Sequence, residues 1–86
     1  MTAPIRSMPE LNGEPRVVRN YYDLRIYFGE TLHLHIDSDK FVGMQAWTDN
    51  EHSFTIEYTL TGGTLRTEYT TEDKWKAVLA GLEKVL

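Results

Sequence analysis

Eighty-six residues, a net charge of −4 and no cysteine set the first limits. A chain this short is one domain with a thin core, burying only about 60% of the surface its unfolded form exposes, and its 41% hydrophobic and 26% charged content exclude disorder throughout. The missing cysteines exclude disulfides, a thiolate metal site and a cysteine nucleophile.

Residues 1–20 hold no apolar run of signal-peptide length, and no later stretch is long enough to span a bilayer. The expectation is a soluble cytoplasmic protein without a membrane partner. The charge is uneven. Residues 1–28 balance to +1, whereas residues 29–86 carry five basic against ten acidic side chains, a balance of −5. An acidic body opposes generic nucleic-acid binding, which needs Lys and Arg to neutralise phosphates. It suits a protein partner with a basic surface, or serves solubility alone.

Residues 1–19 contain Pro4, Pro9, Pro15 and the Asn12-Gly13 pair without periodicity, so they read as an irregular N-terminal arm. Val17 and Val18 give its end a means of packing on the body or adding to a sheet edge. The domain proper is expected over residues 20–86. Tyr22, Leu24, Ile26 and Phe28 alternate with Tyr21, Asp23, Arg25 and Tyr27, the period of a half-buried strand. Leu32, Leu34 and Ile36 then alternate with Thr31, His33, His35 and Asp37. Residues 40–48 are apolar on both sides, as expected of a central strand. Phe54, Ile56, Tyr58 and Leu60 form a third alternating run and the fourth strand expected, and Leu65, Thr67 and Tyr69 a fourth run and the fifth strand.

Short turns at Gly29-Glu30, Asp37–Asp39, Asp49–Glu51 and Gly62-Gly63 connect antiparallel neighbours. The last element is a helix, with Thr70 or Thr71 as N-cap and Glu72 and Asp73 in the first turn. Trp75, Val78, Leu79, Leu82, Val85 and Leu86 form its apolar stripe. The fold expected is therefore α+β: a five-stranded antiparallel β-meander followed by one C-terminal α-helix packed on one sheet face.

Register assigns the faces. A two-residue Gly62-Gly63 turn pairs Leu60 with Leu65 and Ile56 with Tyr69. A two-residue Gly29-Glu30 turn would set Ile26 beside His33 and mix the faces. A three-residue loop over 29–31 pairs Phe28 with Leu32 and Ile26 with Leu34, and is preferred because a one-residue slip exposes a whole apolar set. Three-residue loops at 37–39 and 49–51 keep Val42, Met44 and Ala46 on the inner face. A sheet of five strands is about 19 Å wide between its outer axes, and one helix is about 10 Å across. The helix cannot cover such a face if it is flat. Either the sheet curls strongly, or the arm or a second subunit covers the remainder, and a homodimer is expected on this ground.

The outer face collects the candidate binding residues Arg25, Tyr27, His33, His35, Phe41, Gly43, Gln45, Trp47 and Glu57. An interior strand glycine often marks a close approach, and Gly43 is expected near His33 and Glu57. An imidazole and a carboxylate together suit acid–base work or a small polar ligand; a solvated or partner-covered sheet face explains the same residues. His33 and His35, with Glu57 or His52, have donors suited to zinc but lack a tight third ligand, so no metal and no cofactor is expected. Tyr27, Phe41 and Trp47 have the makings of a base-stacking platform, but the acidic surroundings favour the apolar centre of a protein interface. No nucleophile motif, phosphate loop or His-Glu-x-x-His is present.

The function expected is a non-enzymatic protein-binding or accessory domain, in one variant a small acidic inhibitor of a basic partner surface. The alternative is a small-molecule-binding domain using His33, His35 and Glu57.

Overall fold

The computed structural model describes residues 13–86. The earlier part of the expected arm, with Pro4 and Pro9, lies outside the described residues. Six strands and one helix follow: β1 (Pro15–Arg19), β2 (Asp23–Phe28), β3 (Thr31–Asp37), β4 (Phe41–Asn50), β5 (Ser53–Leu60), β6 (Gly63–Tyr69) and α1 (Glu72–Val85). They form two three-stranded antiparallel sheets, β1-β2-β3 and β4-β5-β6, rather than one five-stranded meander. Two features correct the expectation. The end of the expected arm is itself a strand, and no ladder joins β3 to β4.

The break lies at Ser38–Lys40. The Ser38 amide donates to Tyr22 O (2.8 Å), so it belongs to the first sheet. The Lys40 carbonyl accepts from the Thr61 amide (3.0 Å) and belongs to the second. The Lys40 amide closes the turn on Asp37 O (3.0 Å). Within three residues the backbone transfers its hydrogen bonds from one sheet to the other.

Packing explains why this arrangement wins. Leu24, Ile26, Phe28, Leu34 and Ile36 of the first sheet form one buried cluster with Phe54, Ile56, Tyr58 and Tyr69 of the second and Val78 and Leu82 of α1. Each sheet covers the apolar face of the other, and the helix lies against β1 and reaches β5 and β6. The wide uncovered face that called for a second subunit does not exist among the described residues.

The helix begins as the sequence indicates. Thr71 is its N-cap, with the hydroxyl accepting from the Lys74 amide (3.4 Å) and Glu72 and Asp73 in the first turn. Trp75 packs against Phe54 and donates its indole N–H to Thr55 O (2.9 Å). Gly81 sits directly over Val17. A Cβ there would stand 2.5 Å from a Val17 methyl, so the missing side chain sets how closely α1 approaches β1.

Bulges decide three local reversals. The β2–β3 hairpin closes with the two-residue Gly29-Glu30 turn, Gly29 having φ 59°, as a type II′ turn requires. The ladder then shifts by one. Tyr27 pairs with Leu32 but Ile26 pairs with Leu34, which leaves His33 as the extra residue of a bulge. Leu32 is thereby turned outward and is 47% exposed. In β4, Phe41 pairs with Leu60 and Gly43 with Thr59, so Val42 is extra. Val42, expected inside, is 63% exposed, and Phe41, expected outside, packs on the core. A third bulge at Asp49 accompanies the Glu51-His52 turn. The β5–β6 turn is Thr61-Gly62, two positions from the expected pairing, so Tyr58 meets Leu65 and Ile56 meets Thr67. A shift of two keeps every side chain on its expected face. Tyr22, expected in the core, lies in the β1–β2 turn and is 76% exposed.

Candidate functional site

The nine residues expected on one outer face occupy three places. Arg25, Tyr27 and His35 lie on the outer side of the first sheet. Gly43, Gln45, Trp47 and Glu57 lie on the outer side of the second. His33 and Phe41 are turned toward the core by the bulges.

On the first sheet, strand alternation sets Asp23, Arg25 and Tyr27 on one side of β2, and the β3 register sets His35 beside Arg25. Asp23 is buried and holds the group together. Its Oδ2 accepts from Arg25 Nε (2.9 Å) and lies 3.0 Å from His35 Nε2. Arg25 also donates to the Tyr27 hydroxyl (3.3 Å), and the Arg16 guanidinium lies over the Tyr27 ring at 4.4 Å. Burial works to raise the Asp23 carboxyl, but the hydrogen bonds from His35 and Arg25 outweigh it and hold the pKa below its ordinary value. Asp23 is the member that sequence reasoning missed. Its signal was present: an acid two residues before Arg25 on the same strand face. Among the described residues the His35 ring is thus tied to the Asp23 carboxylate, the acid shared with Arg25.

His33 points inward. Its Nε2 lies 2.9 Å from the Tyr69 hydroxyl, and its ring meets Phe28 edge-on. Burial pushes Tyr69 up to about 12 and Tyr58 well above the usual tyrosine value. His33 serves the packing between the two sheets and shares no surface with His35 or Glu57. A cleft of about 190 Å³ brings His35, Asp37 and Lys40 over an apolar floor of Ile36, Leu60 and Leu65, and neither His33 nor Glu57 reaches it. Among the described residues no group of three or more His, Asp or Glu is arranged to hold a metal ion.

The outer side of the second sheet is the more extensive surface. Glu57, in the central strand, accepts from Gln45 on β4 (3.0 Å) and from Arg66 on β6 (3.0 Å), so one row spans all three strands. These two bonds hold the Glu57 carboxyl below its ordinary value, the Gln45 contribution being the larger. Trp47 pairs with Thr55 across the sheet, and the Arg66 guanidinium stands 5.3 Å from the indole centroid. Thr55 lies between Trp47 and Glu68 and is almost completely buried. Ser53 donates to Glu68 (3.3 Å). Residues 41–69 carry Asp49, Glu51, Glu57 and Glu68 against Arg66 alone, a net −3. Residues 15–37 balance to zero, with three arginines against three acids, and so do residues 72–85. The acidity of the chain is thus concentrated on the second sheet and its β4–β5 turn.

No helix among the described residues is long and apolar enough to cross a membrane. Neither protein-family models, nor characterised proteins, nor solved structures give a match to this chain.

Proposed function

We propose that this chain is a non-enzymatic protein-binding domain that acts in the cytoplasm and docks a basic partner surface with the outer side of the β4-β5-β6 sheet. The observation that carries the reading is the concentration of charge: a net −3 on the second sheet and its β4–β5 turn, beside a tryptophan whose ring centroid lies 5.3 Å from the Arg66 guanidinium. Trp and Arg are enriched at the centres of protein interfaces, and a surface of one sign steers an oppositely charged partner toward it. The hydrogen-bonded row Gln45–Glu57–Arg66 fixes these side chains before binding and lowers the entropy lost on docking. A face of this sign repels nucleic-acid phosphates. A small acidic inhibitor that occupies a basic functional surface is the form of this activity that best suits the size of the chain. A small-molecule site at His33, His35 and Glu57 draws no support from residues that lie on separate surfaces.

Photo-reactive side chains test the reading. Placed at Thr59 or Thr64, on the outer side of the second sheet, they are expected to form an adduct with one basic protein in the native cells, and salt should weaken it. Placed at Arg16 or Val18 they should give none. Adducts from the first sheet alone, or adducts indifferent to salt, would overturn the assignment.

A further inference from the structure

Edge strands expose unpaired backbone groups, and proteins usually protect them with charge, proline, bulges or a covering element. Among the described residues, three of the four sheet edges are protected. β1 carries Pro15, Arg16 and Arg19 and lies under α1; β3 ends in Asp37 and is bulged at His33; β6 carries Arg66 and Glu68. The edge of β4 is different. It is the longest strand at ten residues, it has no strand on its free side among the described residues, and from Phe41 through Thr48 it contains neither a charge nor a proline. Its bulges, at Val42 and Asp49, bracket the regular run 43–48 and do not interrupt it.

We infer that the free edge of β4 pairs antiparallel with β4 of a second copy of this chain, about a two-fold axis at Gln45, and joins the two second sheets into one six-stranded sheet. The residue sizes are what select a second copy as the occupant. With Gln45 on the axis, Gly43 of one chain falls opposite Trp47 of the other, and Met44 opposite Ala46. A small side chain therefore meets a large one at the two pairs next to the axis, one on each face of the sheet, which is the self-complementarity a two-fold interface demands. Gly43 has the room this needs: a Cβ built there meets nothing within 4 Å. Beyond the regular run, Lys40 of one chain comes opposite Asn50 of the other and beside its Asp49, a pairing of opposite charges. The inference stands independently of any further partner. It also continues the outer face across two copies and doubles the net −3 of residues 41–69.

The chain has no native cysteine, so a single introduced thiol is a clean probe. Directly opposed residues of an antiparallel pair have Cα atoms about 4.5–5.5 Å apart, within disulfide reach. Gln45→Cys should give a covalent dimer under mild oxidation, and Val18→Cys on the first sheet should not. In sedimentation the unmodified protein should be dimeric at about 0.1 mM, a concentration well above a micromolar Kd. Gly43→Glu, which enters open space in the single chain, should stay folded and weaken self-association by about tenfold or more by setting a charge against the partner's Trp47. A monomer at that concentration, or a dimer that forms no Gln45→Cys disulfide and is unmoved by Gly43→Glu, would overturn the inference.

Discussion

His33 and Val42 are each the extra residue of a bulge, and this is why neighbouring side chains face where they do. Alternation in the sequence is a reliable guide to faces only while the ladder is regular. One extra residue reverses it, and nothing in the residues themselves marks the place. The two-residue and three-residue loops at Gly29 are exclusive registers for a regular ladder, yet the protein uses both, one on each side of the bulge. The energetic consequence is specific. Phe41→Ala should destabilise the fold by about 2 kcal/mol, a fraction of the usual cost for a fully buried phenylalanine. Leu32→Ser and Val42→Ser should stay within about 0.5 kcal/mol of the parent. Denaturant unfolding of the three variants distinguishes this from the regular alternation, which ranks them in the opposite order.

Two ionisable groups at this scale predict the pH limits of the fold. The folded Asp23 carboxyl is held below its ordinary value of 3.8, so its stabilisation is present above that value and is lost as the pH falls through the lowered folded one. Asp23→Asn should flatten the acid limb of the stability profile. Tyr69, raised to about 12 by burial, behaves with the opposite sign. Its contribution is complete below the ordinary value of 10 and is lost as the pH rises toward 12. Spectroscopic titration of the five tyrosines should show Tyr58 and Tyr69 resisting ionisation until the protein unfolds.

At the scale of elements, the sequence was most legible where local chemistry and period agree. The helix is present with its Thr71 cap and its Val78 and Leu82 stripe, because capping and 3.6-residue spacing are local signals. Strands β2, β3, β5 and β6 are present where alternation placed them, and β4 where the run apolar on both sides placed it. β1 was visible only as a possible edge at Val17 and Val18, since Pro15 and the flanking arginines obscure its pattern. The contact of Gly81 with Val17 was not legible, as it joins residues 64 positions apart in sequence through the absence of a side chain. It gives a sharp expectation. Alanine at an ordinary helical glycine gains about 1 kcal/mol, but here the new methyl meets a stiff β-branched side chain and overpacks the helix–strand contact, which costs about 1–3 kcal/mol. Gly81→Ala should therefore be neutral to destabilising, and adding Val17→Ala should recover the helical gain. If Gly81→Ala alone raises the unfolding midpoint, the close packing of α1 on β1 is not as described.

At the scale of the molecule, the decisive event is the transfer of the chain from one sheet to the other at Ser38–Lys40. Five strand runs joined by short turns are equally compatible with one meander and with two sheets folded face to face. The choice is made by coverage: one helix cannot bury a five-strand face, whereas two half-sheets bury each other. The same fold distributes the candidate residues. It separates His33, His35 and Glu57, gathers Asp23 with Arg25 and His35, and concentrates a net −3 on the second sheet and its β4–β5 turn. Recognition of a basic partner by that sheet is the central claim. Asp49→Lys with Glu51→Lys tests it most directly, because both residues are exposed, at the end of β4 and in the turn that follows, and the double change moves residues 41–69 from −3 to +1. With the photo-reactive side chain at Thr64, the account predicts that the adduct falls by about tenfold or more while the circular dichroism and unfolding midpoint are preserved. An undiminished adduct from the folded, charge-reversed protein would contradict it.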